Sequence, residues 1–305
     1  MSDLKSLEEL RKQLLDNPTS LSEIASEFGV SRNTAKTMLR KLQKDLRVRI
    51  ETSPGPRGAT MYYIPVSLAP YEHEVQAEEF ALISDTHFGN KYEEEEALDI
   101  FYDIVKESGI KTVFHAGDVT DGIDVYPGQY RDMVREVRDV NDLIEYTIKH
   151  YPKKRGITTY AIAGNHDVKL FKRTKGVDPV EQVSKRRKDI KYLGADWARV
   201  KLKNNIVLEL VHPGDKPAYA KSYKIQKRIE ATPFEKNPDI LGMGHYHQSL
   251  FMEYQGVYAF LTGCFQGETN YTKQHHLGTS IGGWIIDLET EDSRIRKIKP
   301  EWVSF

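Results

Sequence analysis

Five short polar clusters follow strand-like apolar runs in the last three-quarters of the chain, and this arrangement constrains the fold more than any other feature. The clusters are Ser84-Asp85-Thr86-His87, Gly117-Asp118-Val119, Gly164-Asn165-His166-Asp167, His212-Pro213-Gly214 and Gly244-His245-Tyr246-His247. Ligand sites of α/β proteins gather at the carboxyl ends of strands, where loops converge. The pattern therefore predicts an α/β domain with a functional site built from these loops.

The residue types in the clusters are those of a metal site. Carboxylate and carboxamide oxygens occur beside imidazoles, a mixture that suits Mn, Fe or Zn. A lone histidine is more often a surface or core residue than a ligand, but nothing structural requires all five clusters together. The chain has one cysteine, Cys264, which leaves no thiolate site and no disulfide, so a reducing, cytoplasmic location is expected.

The order D-x-H, GD, GNHD, H and GHxH resembles that of the calcineurin-like metallophosphoesterase superfamily, over roughly residues 79–300. The resemblance implies a four-layer α/β sandwich, two β-sheets between helices, that binds two divalent ions, with Mn favoured and Fe, Zn or Mg as alternatives. It implies two ligand sets that share Asp118. The first is Asp85, His87, Asp118 and His247, and the second is Asp118, Asn165, His212 and His245. Such a pair of ions would clamp the phosphoryl oxygens during in-line displacement.

The same resemblance gives catalytic roles to two further residues. His166 is expected to face the substrate and to protonate the leaving oxygen, or to stabilise the charge that develops there. Asp121 resembles the carboxylate that orients this histidine; the alternative is a turn residue before Gly122. Asp167 is expected to be structural and to hold the GNHD turn through backbone hydrogen bonds.

Differences from the motifs of individual subfamilies indicate which subfamilies the chain does not resemble. Ser/Thr protein phosphatases of the superfamily carry an arginine where this chain has Gly122, and GNHE where it has GNHD. The GNHD and GHxH pattern is most similar to that of the DNA-repair nucleases and phosphodiesterases, although those nucleases usually place a histidine where Asp121 stands. A protein phosphatase and a processive exonuclease are therefore disfavoured, while nuclease chemistry stays open.

The first quarter of the chain predicts a winged helix-turn-helix domain over residues 1–66. Apolar spacing predicts helices over 4–15 and 21–28, and a third helix that begins after Ser31 and runs to about Leu46, with Gly29 in the turn. Two strand-like runs, 47–51 and 60–65, flank a Pro/Gly loop and predict the wing. Residues 67–78 are expected to connect this domain to the domain over 79–305.

Positive charge is concentrated in the third predicted helix and the wing. Residues 31–60 carry eight basic and two acidic side chains, a net charge of +6, whereas residues 1–30 carry a net charge of −3 and the whole chain −1. This distribution favours duplex DNA as the partner; the alternatives are a solvated helix face and a winged helix used for protein contacts. The expected contacts are Arg32, Asn33 and Thr34 at base edges, and Arg40, Lys41 and Arg57 at phosphates.

Periodicity predicts the remaining elements only coarsely. Helices are expected over 93–107, 131–150 and 218–231, and antiparallel strands over 250–254, 257–262, 282–288 and 294–298. No run approaches the ~20 apolar residues of a membrane span, so no membrane partner is expected. The number of copies in the assembly stays open, a homodimer included.

Three functions are compatible with these patterns. The favoured one is a two-metal-dependent phosphodiesterase or nuclease acting on nucleic acid, delivered by the winged helix. The alternatives are a DNA-bound regulator whose phosphoesterase domain hydrolyses or senses a nucleotide signal, and a phosphatase of nucleic-acid ends. The complete ligand set favours a catalytic function, and the fused winged helix favours a nucleic-acid partner. Neither feature identifies the bond that is cleaved.

Overall fold

The computed structural model describes residues 6–7, 9–10, 13–14, 19–45, 50–54, 58–63, 73–174, 177–233, 236–275, 277–291 and 293–305. The chain divides into two compact units. One is formed by residues 1–71 with 229–237, and the other by residues 72–228 with 238–305. Separate clusters of buried apolar residues stabilise the two units.

The described residues of the N-terminal unit contain two helices of given extent and a small antiparallel sheet. The helices are α1 (Leu21–Glu27) and α2 (Arg32–Asp45), and the strands β1 (Thr19–Ser20), β2 (Glu51–Pro54) and β3 (Thr60–Tyr63) lie in the order β1–β3–β2. Residues 6–7, 9–10 and 13–14, within the helix predicted over 4–15, are also helical. The predicted helix-turn-helix is confirmed in the described residues. The wing contains the antiparallel hairpin β2–β3, but β2 includes Ser53 and Pro54, which were predicted to lie in the loop, and residues 46–49 lie outside the described residues.

Local sequence explains where helix α1 begins and how the chain turns between α1 and α2. The Ser20 hydroxyl accepts a hydrogen bond from the backbone N–H of Glu23 at 3.3 Å, and the Glu23 carboxylate accepts one from the N–H of Ser20 at 2.7 Å. This reciprocal cap begins α1. Gly29, with φ of 60°, makes the turn between the helices. The core contains Leu7, Leu10, Leu14, Ile24, Ala35, Leu39 and Leu42.

The larger unit contains two six-stranded sheets. The first sheet has the order β15–β14–β5–β6–β7–β8 and the second β12–β13–β11–β10–β9–β4. The strands are β4 (His73–Glu74), β5 (Glu79–Ile83), β6 (Thr112–His115), β7 (Thr158–Ala163), β8 (Ile190–Ala195), β9 (Trp197–Lys201), β10 (Val207–Val211), β11 (Ile240–Met243), β12 (Ser249–Tyr254), β13 (Val257–Thr262), β14 (Gly282–Glu291) and β15 (Arg294–Ser304). The helices are α3 (Glu95–Glu107), α4 (Val140–His150), α5 (Asn165–Thr174), α6 (Pro179–Arg186), α7 (Tyr223–Ala231) and α8 (Asn270–Gln274).

Alternation along the strands builds the layers. In β5, Phe80 and Leu82 join a core shared with Leu208 and Leu210 of the second sheet. The intervening Ala81 and Ile83 join a core shared with α3, α4 and α6. Successive side chains of a strand point to opposite faces, so a fully apolar strand is buried between two layers. The predicted α/β class, with two sheets and packed helices, is confirmed.

Several predicted boundaries are wrong. The helix predicted over 131–150 begins only at α4, because the Asp139 side chain caps the backbone N–H groups of Asn141 and Asp142. The predicted 93–107 and 218–231 helices begin at Glu95 and Tyr223. The predicted connector, 67–78, contributes the edge strand β4, which pairs with β9.

Within the described chain, no helix is both long and apolar enough to cross a membrane.

Candidate metal centre

The polar clusters follow strands that lie side by side in their sheets. The neighbours β5, β6 and β7 run parallel in the first sheet, and β10 and β11 run parallel in the second. Their carboxyl ends therefore point the same way. The seven predicted ligands follow them: Asp85 and His87 after β5, Asp118 after β6, Asn165 after β7, His212 after β10, and His245 and His247 after β11.

Asp85 is completely buried, and one of its oxygens faces imidazoles. Its Oδ2 accepts hydrogen bonds from the backbone N–H of His245, at 2.9 Å, and from the Ser84 hydroxyl. Its Oδ1 has no hydrogen-bond partner within the described residues. The Nε2 atoms of His247 and His87 lie 3.3 and 3.7 Å from this Oδ1. Because a buried carboxylate oxygen without a donor is costly, a cation among these groups would stabilise them.

His87 presents its Nε2 atom to the same space. Its Nδ1 lies 3.0 Å from Oδ1 of Asp121, which assigns the ring proton to Nδ1. Its Nε2 lies 3.1 Å from Nε2 of His247 and 3.8 Å from Oδ2 of Asp118. Two ring nitrogens at this separation need a proton or a metal ion to bring them together. The arrangement fits a cation held by Asp85, His87 and His247.

Asp118, His212 and Asn165 form a second convergence. The Nδ1 of His212 donates to the backbone carbonyl of Ala116 at 2.7 Å, so its Nε2 carries the lone pair. That Nε2 lies 3.1 Å from Oδ2 of Asp118 and 3.2 Å from Oδ1 of Asn165. Three acceptors facing one another repel unless a cation lies among them. The donor set therefore fits a second divalent ion.

His245 joins the second group through a contact that the sequence did not indicate. Its Nε2 donates to the backbone carbonyl of Asp215 at 2.7 Å, which leaves Nδ1 as the ring nitrogen free for a ligand role. The Asp215 carboxylate accepts a hydrogen bond from the hydroxyl of Tyr246 at 2.6 Å. Asp215 thus orients the GHxH loop from outside the cluster.

Three groups of side chains have ligand atoms that all lie within 4.8 Å of one another. They are Asp85–His87–His247, His87–Asp118–His166 and Asp118–His212–His245. The first and third contain residues of the two sets that the resemblance implies, and the middle group links them through Asp118. The structure therefore brings all seven predicted ligands into one cluster, Asn165 through its contact with His212.

Burial and charge act in opposite directions on the pKa values of the cluster. Burial alone would raise the pKa of the Asp85 and Asp118 carboxyls, but the surrounding histidines hold both well below the usual range. Burial disfavours the His212 cation, yet Asp118 and Asp85 raise the pKa of His212 to about 9. The cluster thus favours positive charge, and a divalent ion bound there would compete with protons for the same groups.

His166 lies at the edge of the cluster and is held by Asp121. Its Nδ1 lies 2.8 Å from the backbone oxygen of Asp121 and 3.2 Å from Oδ1 of the same residue. Its Nε2 lies 4.0 Å from Oδ2 of Asp118. The side chain is 16% exposed, and the contacts of Nδ1 with Asp121 fix the direction in which Nε2 points. This is the geometry expected for an acid or base that Asp121 orients.

The Asp121 carboxylate also organises residues that sequence reasoning missed. Its Oδ2 accepts hydrogen bonds from Asn90 at 2.9 Å and from Gln129 at 2.7 Å. Burial would raise the pKa of Asp121, but hydrogen bonds from His166 and His87 hold it well below its usual range. Asn90 lies between β5 and α3, and Gln129 begins a short 3-10 helix (Gln129–Arg131); neither belongs to a motif, so no sequence signal marks them.

Five of the seven ligands adopt left-handed backbone conformations. They are Asp85, His87, Asp118, His245 and His247, with φ between 47° and 81°. Non-glycine residues rarely adopt this region, and such strain clusters at functional sites. In the two loops that supply a pair of ligands, Asp85 with His87 and His245 with His247, the turns direct side chains two residues apart into the cluster.

The glycines of the ligand motifs lie where a neighbouring loop leaves no room for a Cβ atom. A Cβ on Gly164 would lie 2.2 Å from the backbone nitrogen of Asp118. A Cβ on Gly117 would lie 2.5 Å from Nδ1 of His212, and one on Gly244 2.4 Å from the carbonyl oxygen of Ala116. The glycines of GD, GNHD and GHxH thus let the ligand loops pack against one another.

Asp167 and His115 are buried beside the cluster. Asp167 accepts hydrogen bonds from the backbone N–H groups of Val119, Thr120 and Gly164 at 3.0–3.2 Å, in agreement with the structural role predicted for it. His115 was not predicted. Its Nε2 lies 3.1 Å from the Thr86 hydroxyl, and burial lowers its pKa to about 3, so it is neutral.

The predicted DNA-contacting residues lie in the N-terminal unit. Arg32, Asn33 and Thr34 occupy the first turn of α2, and Arg40 and Lys41 lie on the same helix. All five are exposed. Arg57 lies outside the described residues, as does His276. His275, to which no role was assigned, is at the surface.

Known proteins are similar to both parts of the chain. A model described as the calcineurin-like phosphoesterase superfamily domain matches residues 79–278, and an HTH domain model matches residues 5–60. The DNA polymerase II small subunit of Halobacterium salinarum is 26% identical over 262 residues, which cover 74% of this chain and 51% of that protein. The Pyrococcus furiosus protein of the same name is 26% identical over 266 residues, covering 72% of this chain and 42% of that protein. The chain thus spans about half the length of these curated relatives.

Solved structures that are similar to this chain include a phosphodiesterase and a Vps29 protein. An archaeal phosphodiesterase is 16% identical, with a TM-score of 0.42, and the match covers 74% of this chain and 99% of that one. Vps29 of Entamoeba histolytica in complex with zinc is 14% identical, with a TM-score of 0.37, and the match covers 74% of this chain and 98% of that one.

Proposed function

The chain belongs to the calcineurin-like phosphoesterase superfamily, and from this premise we propose that it is a two-metal-dependent phosphodiesterase that acts on nucleic acid. The observation that carries the proposal is the pair of acceptor-rich spaces around Asp118. One contains the unpartnered Oδ1 of Asp85, and the other contains the Nε2 lone pair of His212 facing two oxygens. A divalent ion in each space would supply the positive charge that these donor sets favour.

In this proposal Asp85, His87 and His247 hold one divalent ion, and Asn165, His212 and His245 hold the other. Asp118 lies between the two groups and contributes to both. When bound, a pair of such ions supplies Lewis-acid polarisation of phosphoryl oxygens and lowers the pKa of water. Mn is the favoured ion, since mixed carboxylate, amide and imidazole ligands suit it.

His166 is proposed as the group that moves a proton at the leaving oxygen. Its Nδ1 donates to Asp121, its side chain is 16% exposed, and its Nε2 lies 4.0 Å from Oδ2 of Asp118. A proton on Nε2 would be donated to the departing oxygen, and Asp121 would stabilise the imidazolium before that transfer. Asp121 acts as a positioning residue for both His166 and His87.

Two observations support nucleic acid as the substrate. The residues that match the HTH model form a helix-turn-helix with an exposed, basic second helix, which is the composition of a DNA-contacting element. The curated relatives are named as small subunits of a DNA polymerase. Those names also support association with a larger DNA-processing chain. In that case the native complex would have a mass well above that of two copies of this 35.1 kDa chain.

A substrate panel in Mn²⁺ tests the proposal. It compares linear and circular DNA, end-phosphorylated oligonucleotides, cyclic nucleotides and bis(p-nitrophenyl) phosphate. Cleavage of DNA and of the small diester, abolished by Asp118→Asn and unaffected by Asp99→Asn on the exposed face of α3, supports a phosphodiesterase. Turnover restricted to terminal phosphates would favour the end phosphatase, and turnover restricted to cyclic nucleotides would favour the DNA-bound regulator. No turnover of any substrate with Mn²⁺, Fe²⁺, Zn²⁺ or Mg²⁺ would contradict all three enzymatic readings.

A further inference from the structure

A basic and aromatic surface lies on the segment between His212 and the GHxH loop. Residues 214–228 carry five basic side chains and one acidic side chain, a net charge of +4 in a chain whose total is −1. The surface, which we call the Lys/Tyr surface, consists of exposed residues: Lys216, Tyr219, Lys221, Tyr223 and Lys227. Lys216 and Lys221 make no ion pair with any described residue.

The two tyrosines are unusual for their exposure. Tyr219 is fully exposed and Tyr223 is 48% exposed, and they are two of the six large hydrophobic side chains that are exposed in the described chain. Nζ of Lys227 lies 5.9 Å from the centroid of the Tyr223 ring. Aromatic rings that leave a face open to solvent, with cations beside them, are the combination that single-stranded nucleic acids bind.

The opposite side of the segment is occupied by structural contacts. Arg228 pairs with the buried Glu209 at 2.8 Å, Lys224 pairs with Asp215, and Ile225 is buried. Tyr223 and Lys227 are four residues apart on α7 and so share one helix face. The basic residues therefore divide into those that hold α7 in place and those that stay available to a ligand.

The segment is joined directly to the metal centre through Asp215. The backbone oxygen of Asp215 accepts the hydrogen bond from Nε2 of His245, and its carboxylate contacts Lys224 and Tyr246. Lys216 is the next residue in the chain. The Lys/Tyr surface therefore begins one residue from the Asp215 carbonyl that holds the ligand His245.

We propose that the Lys/Tyr surface binds single-stranded nucleic acid, with Tyr219 and Tyr223 stacking on unpaired bases and the lysines contacting phosphates. The inference rests on the proposed function and narrows its substrate to a strand with unpaired bases. A duplex offers no open base faces to Tyr219 and Tyr223, so it should bind the Lys/Tyr surface more weakly than a single strand does. An acidic protein surface would likewise leave them unexplained.

Fluorescence anisotropy with the full chain in EDTA tests the inference apart from turnover. The labelled probes are a dT 15-mer, a 15-mer of abasic sites, an rU 15-mer and a 15-base-pair duplex. For the single-stranded probes, excess unlabelled duplex occupies the N-terminal unit; the labelled duplex is measured without that competitor. Tyr219→Ala should weaken dT binding by about five- to hundredfold, the effect of losing one stacked base, and leave abasic binding unchanged. Tyr219→Phe keeps the ring and should bind like the wild type.

The lysine variants separate charge from stacking. Lys221→Ala should weaken both the dT and the abasic probes and reduce the salt slope by about 0.7, the value for one phosphate contact on a single strand. The matched control is Lys191→Ala, an exposed lysine on β8, which should change nothing. The rU probe shows whether the surface distinguishes RNA from DNA.

Three results would overturn the inference. The first is unchanged dT binding in both Tyr219→Ala and Lys221→Ala. The second and third are a loss of affinity in Tyr219→Ala that is equal for the dT probe and the labelled duplex, or equal for the dT and abasic probes. An acidic protein as the true occupant would give the first of these. Hydrolysis of bis(p-nitrophenyl) phosphate in Mn²⁺ is measured on the same proteins. If the wild type hydrolyses no diester but the anisotropy pattern holds, the proposed function fails and the Lys/Tyr surface stands.

Discussion

Replacing Asp121 with asparagine should destabilise the larger unit and impair the metal centre together. The change keeps the shape of the side chain but replaces one oxygen with an NH₂ donor. In the structure Oδ1 faces Nδ1 of His87 and of His166, while Oδ2 accepts from Asn90 and Gln129. Either orientation of the new amide therefore points a donor at two donors.

The neighbouring amides cannot flip to relieve this conflict. Oδ1 of Asn90 accepts from the backbone N–H of Tyr92 at 3.0 Å, and Oε1 of Gln129 accepts from that of Val125 at 2.6 Å. Each unmet buried donor costs about 1–3 kcal/mol, so two of them lower the free energy of unfolding by about 2–6 kcal/mol. Loss of a residue that orients metal ligands typically costs about 10–100-fold in metal affinity or activity.

The assay combines thermal unfolding, Mn²⁺ titration by calorimetry and turnover of bis(p-nitrophenyl) phosphate. Asp121→Asn should lower Tm by at least about 4 °C, since 1 kcal/mol shifts a domain of this size by about 2–4 °C. The control Asp99→Asn makes the same chemical change at an exposed carboxylate and should be neutral. If Asp121 acts through His166, Asp121→Asn should reduce turnover less in a His166→Ala background than in the wild type. Wild-type stability and Mn²⁺ affinity in Asp121→Asn would refute the reasoning.

Three further predictions follow from single contacts. His166→Ala should keep Mn²⁺ binding but lower turnover of diesters with poor leaving groups by about 10²–10⁴-fold, and less for p-nitrophenyl esters; equal losses across leaving groups would assign His166 to binding instead. Burial raises the pKa of Glu93 from its usual 4.5 to about 7, so its stabilising contribution, present below pH 4.5, is lost as the pH rises through 7. Glu93→Gln should remove this pH slope in chemical denaturation, and an unchanged slope would contradict the assignment. Arg40→Ala and Lys41→Ala should each weaken duplex binding and lower its salt slope by about one; slopes equal to that of the wild type would exclude phosphate contacts at these residues.

Sequence patterns predicted the types of the main elements better than their ends. The wrong start of α4 shows why. Met133, Val134 and Val137 have helical spacing, but they pack in a loop cluster with Leu143 and Leu170. Backbone hydrogen bonds tie this loop to residues 89–91: the N–H of Val134 donates to the carbonyl oxygen of Gly89, and the N–H of Lys91 donates to the carbonyl oxygen of Asp132. Such long-range pairing leaves no local signature, so periodicity alone extended the helix.

The part of the candidate site that lies in short motifs could be predicted from the sequence. Each ligand loop contains its own ligands, and the GD, GNHD and GHxH loops also contain the glycine that lets them pack, so residues such as Asp85 and His245 are recognisable locally. Asp215 does not, because it acts on His245 through a backbone carbonyl, which any residue type possesses. Asn90 and Gln129 could not be predicted either, because only the folded chain brings their segments to the Asp121 carboxylate.

The central claim is that seven side chains hold two divalent ions with Asp118 between them. Its most direct measurement is the metal content of the full chain at saturating Mn²⁺, by equilibrium dialysis and elemental analysis, for the wild type and Asp118→Asn. We expect two ions per wild-type chain and weakened binding at both sites in the variant, with the N-terminal unit still folded. One ion or none in the wild type, or two ions bound with wild-type affinity in Asp118→Asn, would contradict the claim.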